Sequence, residues 1–330
     1  MPPARRPRPP RPAFVPRVLP VMLLAAGLGL ALPAPEAAGR AAAGPDLVVD
    51  AAAVTAAPGT SVAHTVGVRN RGAGTRGPVL LTYVTPAYTH VDRFGPALPE
   101  GCEVRHVDLD PVVPEVVTCR IPAGLAEGAR TSFVVPLAVT TRARLTGGVG
   151  GLLDAMPAPG SPDRETAPED NWVSTELTLV GPVPEAPPGE PVDLFLVPDT
   201  EAAGTEAATE VVLEHGNRGP RPARSVRVVA VAPFLTRWRG PLPAGCGLVL
   251  DDPDPAVPRI VDCVLPRTAA DGRGRLRLAL ETLPGAPTGT LTAPVLVAPA
   301  DPGDVDADQR DNLGVITLRR PAPAGSGGGG

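Results

Sequence analysis

Four cysteines are the residues of this sequence whose chemistry is easiest to interpret. Cys102 and Cys119 are 17 positions apart, and so are Cys246 and Cys263. A thiol can act as a nucleophile or a metal ligand, but an even number of cysteines in an exported chain indicates disulfides. Each pair flanks two short strand-like segments joined by an acidic, proline-bearing turn, and such a hairpin brings two Cα atoms within bridging distance. We predict a bridge within each pair, and pairing between the two pairs remains open.

The four histidines do not suggest a metal site or a catalytic pair. His64, His90, His106 and His215 are not at metal-ligand spacing from one another or from a cysteine or carboxylate cluster. The chain also has none of the short motifs of serine hydrolases, zinc proteases, P-loops or dinucleotide-binding folds. We predict strand-face or surface histidines, no cofactor and no enzymatic activity.

One acidic segment resembles the start of a calcium loop. Asp304, Asp306 and Asp308 alternate, but Gln309 and Val315 occupy the positions where an EF-type loop needs glycine and glutamate. We interpret the segment as an acidic turn before a strand, with calcium at an edge loop as the alternative. A comparable cluster in the first half contains Asp163, Glu165, Glu169 and Asp170.

Two sets of side chains are candidates for binding a partner. Arginines recur at every third position and could hold an anionic wall polymer: Arg218, Arg221, Arg224 and Arg227. Aromatic residues in the loops before the cysteine pairs could stack on sugar rings or anchor a protein: Tyr88, Phe94, Phe234 and Trp238. The alternatives are strand-face charge that discourages edge pairing, and loops packed against a core poor in aromatic residues.

Residues 1–43 have the layout of a secretory signal. Residues 1–17 carry five arginines and no acid, residues 18–32 are apolar, and Ala41-Ala42-Ala43 matches a small-residue cleavage pattern. The apolar run is shorter than the roughly 20 residues that span a bilayer. We predict cleavage of residues 1–43 and a secreted, extracellular product, with an uncleaved signal anchor as the alternative. The net charge of −5 excludes a generally basic nucleic-acid binder.

Shared motifs indicate two copies of one module. An NRG segment at 70–72 recurs at 217–219, and Asp-Asn at 170–171 recurs at 311–312. LPEG precedes Cys102, and LPAG precedes Cys246. Small drifts in the offset between such motifs are what loop insertions produce between two copies.

The motifs also set the predicted boundaries. Repeat 1 covers residues 46–181, a proline-rich linker covers 182–191, and repeat 2 covers 192–320. A flexible glycine-rich tail follows at 321–330. Proline-rich linkers are extended and semi-rigid.

Each repeat has the pattern of β structure. In residues 61–68, His64 shares one strand face with three valines, while small and polar residues take the other face. Further valine-rich runs end at Gly/Pro turns, and no window beyond the signal keeps a 3.6-residue period. With only 5 Phe, 2 Trp and 2 Tyr, the core must be built from Val, Leu and Ala. The pattern predicts an all-β chain of two tandem immunoglobulin-like antiparallel β-sandwiches.

This layout resembles repeat domains of bacterial surface proteins, among them a domain of unknown function and cell-adhesion-related, CARDB-like modules. The resemblance rests on the Asn-x-Gly turn, the Leu-Pro-x-Gly segment, the cysteine hairpin and the closing acidic-Asn motif, and it covers both repeats. It departs at the closing motif, where the family often has two asparagines and this chain has Asn171-Trp172 and Asn312-Leu313. The resemblance implies an extracellular module used as a spacer or binding unit.

We therefore predict a secreted two-module binding, adhesion or spacer protein without catalytic activity. The expected partner is a cell-wall polymer or another surface protein. We expect no nucleic-acid partner and, after signal cleavage, no membrane contact. The alternatives are a purely structural stalk that binds nothing and an accessory module of an extracellular carbohydrate-active enzyme.

Overall fold

Twenty strands and two short 3₁₀ helices form the regular structure of the part of the chain that this computed structural model describes. The described residues are 44–106, 112–141, 143, 147–180, 191–197, 200–203, 208–284, 286 and 289–320. The predicted signal peptide, nearly all of the linker and the tail lie outside them. Within them, no helix is long and apolar enough to cross a membrane. The predicted all-β sandwich fold is confirmed.

The N-terminal sandwich contains two sheets. Its strands are β1 (Leu47–Ala51), β2 (Val54–Ala56), β3 (Ser61–Asn70), β4 (Val79–Val84), β5 (Thr89–Val91), β6 (Cys102–His106), β7 (Val116–Ile121), β8 (Arg130–Val139), β9 (Gly147–Pro157) and β10 (Trp172–Leu179). One sheet has four strands in the order β1-β3-β8-β5, and the other has six in the order β2-β10-β9-β4-β7-β6. Neighbours are antiparallel, except that β2 runs parallel to β10.

The C-terminal sandwich has the same strand order. Its strands are β11 (Leu194–Leu196), β12 (Thr200–Ala203), β13 (Thr209–Asn217), β14 (Val226–Val231), β15 (Thr236–Arg239), β16 (Cys246–Leu250), β17 (Ile260–Leu265), β18 (Gly272–Thr282), β19 (Gly289–Pro299) and β20 (Leu313–Arg320). The sheets are β11-β13-β18-β15 and β12-β20-β19-β14-β17-β16, with β12 parallel to β20.

Aliphatic side chains fill the space between the two sheets of each sandwich. Val66 and Val68 of β3 and Leu81 of β4 are fully buried there, and Val228 and Leu278 occupy the C-terminal core. The two-residue period of a strand places every second side chain in this layer. Full burial of a Val or Leu side chain contributes about 1.5–3 kcal/mol, which compensates for the small number of aromatic residues.

The outward faces of the two six-stranded sheets are also apolar, and they pack against each other. Val84 and Val116 of the N-terminal sandwich share one buried cluster with Val229, Val231 and Ile260 of the C-terminal sandwich. All five have relative exposures of 0–1%. The two sandwiches therefore share a third apolar layer and belong to one compact unit.

An ion pair lies beside this junction. The Nη2 atom of Arg105, on β6, is 2.8 Å from Oδ2 of Asp252, which follows β16. The Nε atom of the same guanidinium donates to that oxygen at 3.1 Å. Both side chains are largely buried, so this contact adds directional bonding to the apolar junction.

Candidate functional site

The cysteines form one disulfide within each sandwich. Cys102 and Cys119 face each other across β6 and β7, with Cα atoms 4.0 Å apart. Cys246 and Cys263 occupy the same register on β16 and β17, with Cα atoms 3.9 Å apart. Each bridge ties the edge strand of a six-stranded sheet to its neighbour.

The Leu-Pro-x-Gly segments shape the turns that lead into these bridges. Gly101 and Gly245 have φ values of +81° and +83°, a region that glycine enters without steric penalty. Their carbonyl oxygens accept hydrogen bonds from the N–H groups of Arg120 and Val264, each at 2.8 Å. These bonds close each hairpin next to the cysteine, so the motif has a structural role.

In each NRG segment, a buried asparagine holds neighbouring loops together by hydrogen bonds. Oδ1 of Asn70 accepts hydrogen bonds from the N–H groups of Asp46 and Gly72, at 3.1 and 3.0 Å. Its Nδ2 donates to the carbonyl oxygens of Ala73 and Leu125, at 2.7 and 3.0 Å. The corresponding residue of the second NRG segment, Asn217, makes an equivalent set of bonds.

The three alternating aspartates bind different groups of the protein. Asp304 accepts from the backbone N–H of Arg224 at 2.7 Å, and Asp308 accepts from that of Arg310 at 3.1 Å. Asp306 accepts from Nδ2 of Asn312 at 2.8 Å, and burial raises its pKa to about 7. Among the described residues, no cluster of three or more His, Cys, Asp or Glu side chains is placed to hold a metal ion.

The four candidate arginines are each paired with an aspartate. Arg221 bonds the buried Asp304 at 3.0 Å, Arg224 bonds Asp301 at 3.2 Å, and Arg218 pairs with Asp311. These three lie along one loop region of the C-terminal sandwich. Arg227 lies apart, on the outward face of β14, where it bonds Asp262 at 2.6 Å. The structure thus groups three of the four and gives each positive charge a negative neighbour.

Three of the four candidate aromatic residues are buried. Tyr88 and Trp238 are 3% exposed and Phe234 is 9% exposed. Tyr88 packs into the junction between the sandwiches, Trp238 into the C-terminal core, and Phe234 against Leu80 of the N-terminal sandwich. Phe94 alone among them is fully exposed. The structure therefore does not assemble these four rings into one binding surface.

All four histidines lie on strands, and for His64 the sequence pattern predicts this position. His64, on β3, accepts a hydrogen bond from the Tyr83 hydroxyl at 2.7 Å and donates from Nε2 to the Ala52 carbonyl at 3.0 Å. His215, on β13, is also buried. Burial lowers the pKa of both imidazoles, because the charged form is poorly solvated there.

A cavity of about 560 Å³ opens at one side of the junction between the sandwiches. Asp154 of β9 and Trp172, the first residue of β10, face each other in the strand register and both line it. Phe234 and Thr292 line it from the C-terminal sandwich. The pKa of the Asp154 carboxyl is raised to about 8, chiefly by burial and to a smaller extent by the nearby Glu165 carboxylate, while hydrogen bonding to the Ala155 N–H opposes the rise.

The sequence prediction did not include this cavity. A signal was available, because Asp154 interrupts the otherwise apolar residues 152–156, while the corresponding strand β19 has Leu296 at the matching register position. A carboxylate in one strand and leucine in its counterpart is the type of difference that marks a local specialisation. Thr292, which lines the same cavity from the other sandwich, is far away in the chain, so only the folded junction brings the two residues to one cavity.

The sequence matches no protein-family model and no curated protein. The CARDB-like assignment therefore stays a resemblance. Similar solved structures include a protein of unknown function from Porphyromonas gingivalis W83, 12% identical over 83% of this chain and 99% of that one, with a TM-score of 0.27.

Two further solved structures are similar at the same level. CaCohA2 from Clostridium acetobutylicum is 13% identical over 43% of this chain and 96% of that one, with a TM-score of 0.28. The C-terminal domain of the antigen I/II-family protein AspA from Streptococcus pyogenes is 9% identical over 83% and 99%, with a TM-score of 0.25. Likeness this distant supports no inference about partner or activity, so the function must be argued from this chain's own residues.

Proposed function

We propose that this chain is an exported, non-catalytic binding or adhesion protein whose two sandwiches act as one rigid body. The observation that carries the proposal is the shared apolar layer between the six-stranded sheets, in which Val116 and Ile260 are completely buried. Separating the sandwiches would expose this layer to water, at about 25 cal/mol per Å² of apolar surface. Modules joined in this way hold their surface loops at fixed distances, as a binding body requires and a hinged stalk does not.

The two disulfides support an extracellular location. Disulfides persist in oxidising compartments and are rare where thiols are kept reduced. Intact mass spectrometry of the protein recovered from culture medium, alkylated with and without prior reduction, tests this step. We expect a mass that begins near residue 44 and four alkylated thiols only after reduction. Free thiols before reduction, or a retained N-terminus, would contradict export.

The proposal of a non-catalytic role rests on what the acidic side chains already bind. Asp163 accepts from the N–H groups of Arg76 and Gly77, at 2.8 and 2.9 Å. Glu165 accepts from the N–H groups of Leu47 and Thr166, at 3.2 and 3.0 Å. Carboxylates that satisfy backbone N–H groups in this way stabilise loops, and the same bonds oppose their use in proton transfer.

One exposed aromatic residue is suited to anchoring a partner. Phe94 is fully exposed, and Oδ1 of Asp92 accepts from the N–H groups of Phe94 and Gly95, each at 3.0 Å. The turn is thus ordered before any contact is made, which lowers the entropy lost on binding. Aromatic residues are frequent among the side chains that dominate interface energies.

Binding of the labelled protein to isolated cell envelopes of the source organism tests this surface. We expect Phe94→Ala to weaken binding by tenfold or more, the effect of losing one interface anchor of about 1.4 kcal/mol. Val134→Ala is the matched control, because Val134 is also an exposed apolar residue but lies on β8 of the four-stranded sheet. Equal binding by the wild type and both variants would contradict the role of Phe94.

Small-angle X-ray scattering separates the rigid body from an extended stalk. A compact chain of the length of residues 44–320 has a radius of gyration of about 19 Å. A clearly larger value for the mature protein in solution would mean that the sandwiches separate, and it would favour the stalk.

A further inference from the structure

The cavity at the junction combines apolar walls with several buried polar atoms that have no hydrogen-bond partner. Leu152, Met156, Phe234 and Leu291 contribute apolar surface. Its volume of about 560 Å³ lies within the range of small-molecule pockets. The centre of the junction is a cluster of buried apolar side chains, so an opening of this size needs its own explanation.

The junction offers an internal comparison for this cavity. Trp172 faces Asp154 across β10 and β9, and Leu313 faces Leu296 across β20 and β19. The space that both leucines line is only about 20 Å³, and a second space lined by Leu313 is about 100 Å³. The cavity is therefore not a general consequence of packing two such sheets together. It occurs on the side where the leucine pair is replaced by a carboxyl group and an indole.

Three residues that line the cavity each have a buried polar atom with unused hydrogen-bonding capacity. The indole Nε1 of Trp172, the Oδ1 atom of Asn171 and the Oγ1 atom of Thr292 are buried without a hydrogen-bond partner in the structure. Thr292 is 6% exposed and Asn171 is 5% exposed. Buried polar atoms are normally satisfied, and unsatisfied ones indicate a missing partner such as water or a ligand.

The charge of the cavity favours a neutral ligand. No arginine of the described part of the chain forms an ion pair with Asp154, and burial raises the pKa of its carboxyl group, which favours the neutral form. A protonated carboxyl both donates and accepts a hydrogen bond. The two other acids of the lining are occupied: Glu165 is held by backbone N–H groups, and Asp163 pairs with Arg76 and accepts from backbone N–H groups. The one cation in the lining, Arg164, is exposed to solvent.

We propose that this cavity binds a mono- or disaccharide unit, through Asp154, Trp172 and Thr292 across the junction of the two sandwiches. Sugar hydroxyls both donate and accept hydrogen bonds, as these three groups together require, and the C–H faces of a sugar ring suit the apolar wall. This inference deepens the proposed function and rests on it, since it assigns a ligand class to the same rigid body.

Isothermal titration calorimetry with cellobiose, maltose and diacetylchitobiose tests the proposal on the mature protein. We expect at least one of the three to bind saturably and to change the fluorescence of Trp172. Trp238, the other tryptophan, lies in the C-terminal core and should not respond. Trp172→Phe should remove the fluorescence change and weaken binding about fivefold, as expected for one lost hydrogen bond.

Two substitutions at Asp154 separate binding from folding. Asp154→Leu reproduces the residue found at the matching position of β19. It replaces the hydrogen-bonding carboxyl group by an apolar side chain, so it should abolish binding and leave the melting temperature equal or higher. Asp154→Asn keeps a neutral donor and acceptor and should retain binding within about threefold. Glu176→Gln, an exposed change on β10, is the control and should bind like the wild type.

Two results would overturn the sugar site. One is the absence of saturable heat when each of the three disaccharides is added up to about 10 mM. A dissociation constant above that concentration is too weak for specific binding. The other is equal binding by the wild type and Asp154→Leu, which would place the ligand elsewhere. Either result leaves export, rigidity and the role of Phe94 intact, because those rest on mass spectrometry, scattering and envelope binding. Conversely, a protein that binds sugar but remains in the cell with free thiols would contradict only the proposed function.

Discussion

The substitution Asp154→Asn should make the protein more stable, and increasingly so as the pH rises. In the folded state the carboxyl has a pKa of about 8 against an ordinary value of 3.8. The carboxyl therefore loses its proton at a lower pH in the unfolded chain than in the folded one. The wild type accordingly loses stability as the pH rises from about 4 to 8. Asparagine does not ionise and avoids this loss.

The size of the effect follows from the pKa. Each tenfold change in proton affinity corresponds to about 1.4 kcal/mol, so the full difference in pKa would amount to about 6 kcal/mol above pH 8. Asp154 lines a cavity that water can enter, which reduces this figure. We expect a gain of about 3 kcal/mol at pH 8, falling toward zero near pH 4.

Guanidinium denaturation followed by circular dichroism, at several pH values between 5 and 9, measures this directly. The wild type and Asp154→Asn should diverge steadily with pH. Asp50→Asn, which removes a half-exposed carboxylate paired with Arg130, is the control and should run parallel to the wild type. If the curves of the wild type and Asp154→Asn are also parallel, Asp154 ionises as in water, and the argument for a recessed, neutral cavity is wrong.

Three further predictions concern other parts of the fold. Replacing Cys246 and Cys263 by alanine should lower the free energy of unfolding by about 3 kcal/mol, since the bridge constrains a short loop in the unfolded chain; unchanged denaturation midpoints would contradict this. Asn70→Ala should lower the free energy of unfolding by about 2–4 kcal/mol, because backbone groups of three loop segments lose their hydrogen-bond partner. A loss below about 0.5 kcal/mol in the same assay would contradict the role of Asn70 in holding these segments together. In an NMR titration His64 should have a pKa below 6.5, so the stability that depends on its neutral form persists above about pH 6.5 and decreases on acidification. A His64 resonance that titrates at or above 6.5 would contradict its burial beside Tyr83.

Local patterns were sufficient to predict much of the architecture. The two-residue alternation around His64 predicted a strand, and that residue lies on β3. The spacing of Cys102 and Cys119 predicted a hairpin, and these residues face each other across β6 and β7. Both features depend on residues close together in the chain, where strand period and turn chemistry act without help from distant segments.

The loop aromatics and the arginines could not be placed in the same way. Trp238 and Phe94 occupy similar positions before a cysteine pair, yet one is buried and the other fully exposed. Arg227 has the same three-residue spacing as Arg224 but lies on a different surface, next to Asp262. Exposure of a loop side chain depends on which distant segment covers it, and sequence spacing carries no information about that.

The sequence by itself determined the class of fold, the strands, the turns and the cysteine hairpins, because backbone sterics, strand period and turn residues act over a few positions. Only the tertiary structure decided that the outward faces of the six-stranded sheets pack together, since an outward valine such as Val229 fits an exposed or a covered strand equally well. The tertiary structure also placed Thr292 across the junction from Asp154. A cavity is the space that distant packed segments leave unfilled, so its volume and polarity follow from the arrangement of both sandwiches.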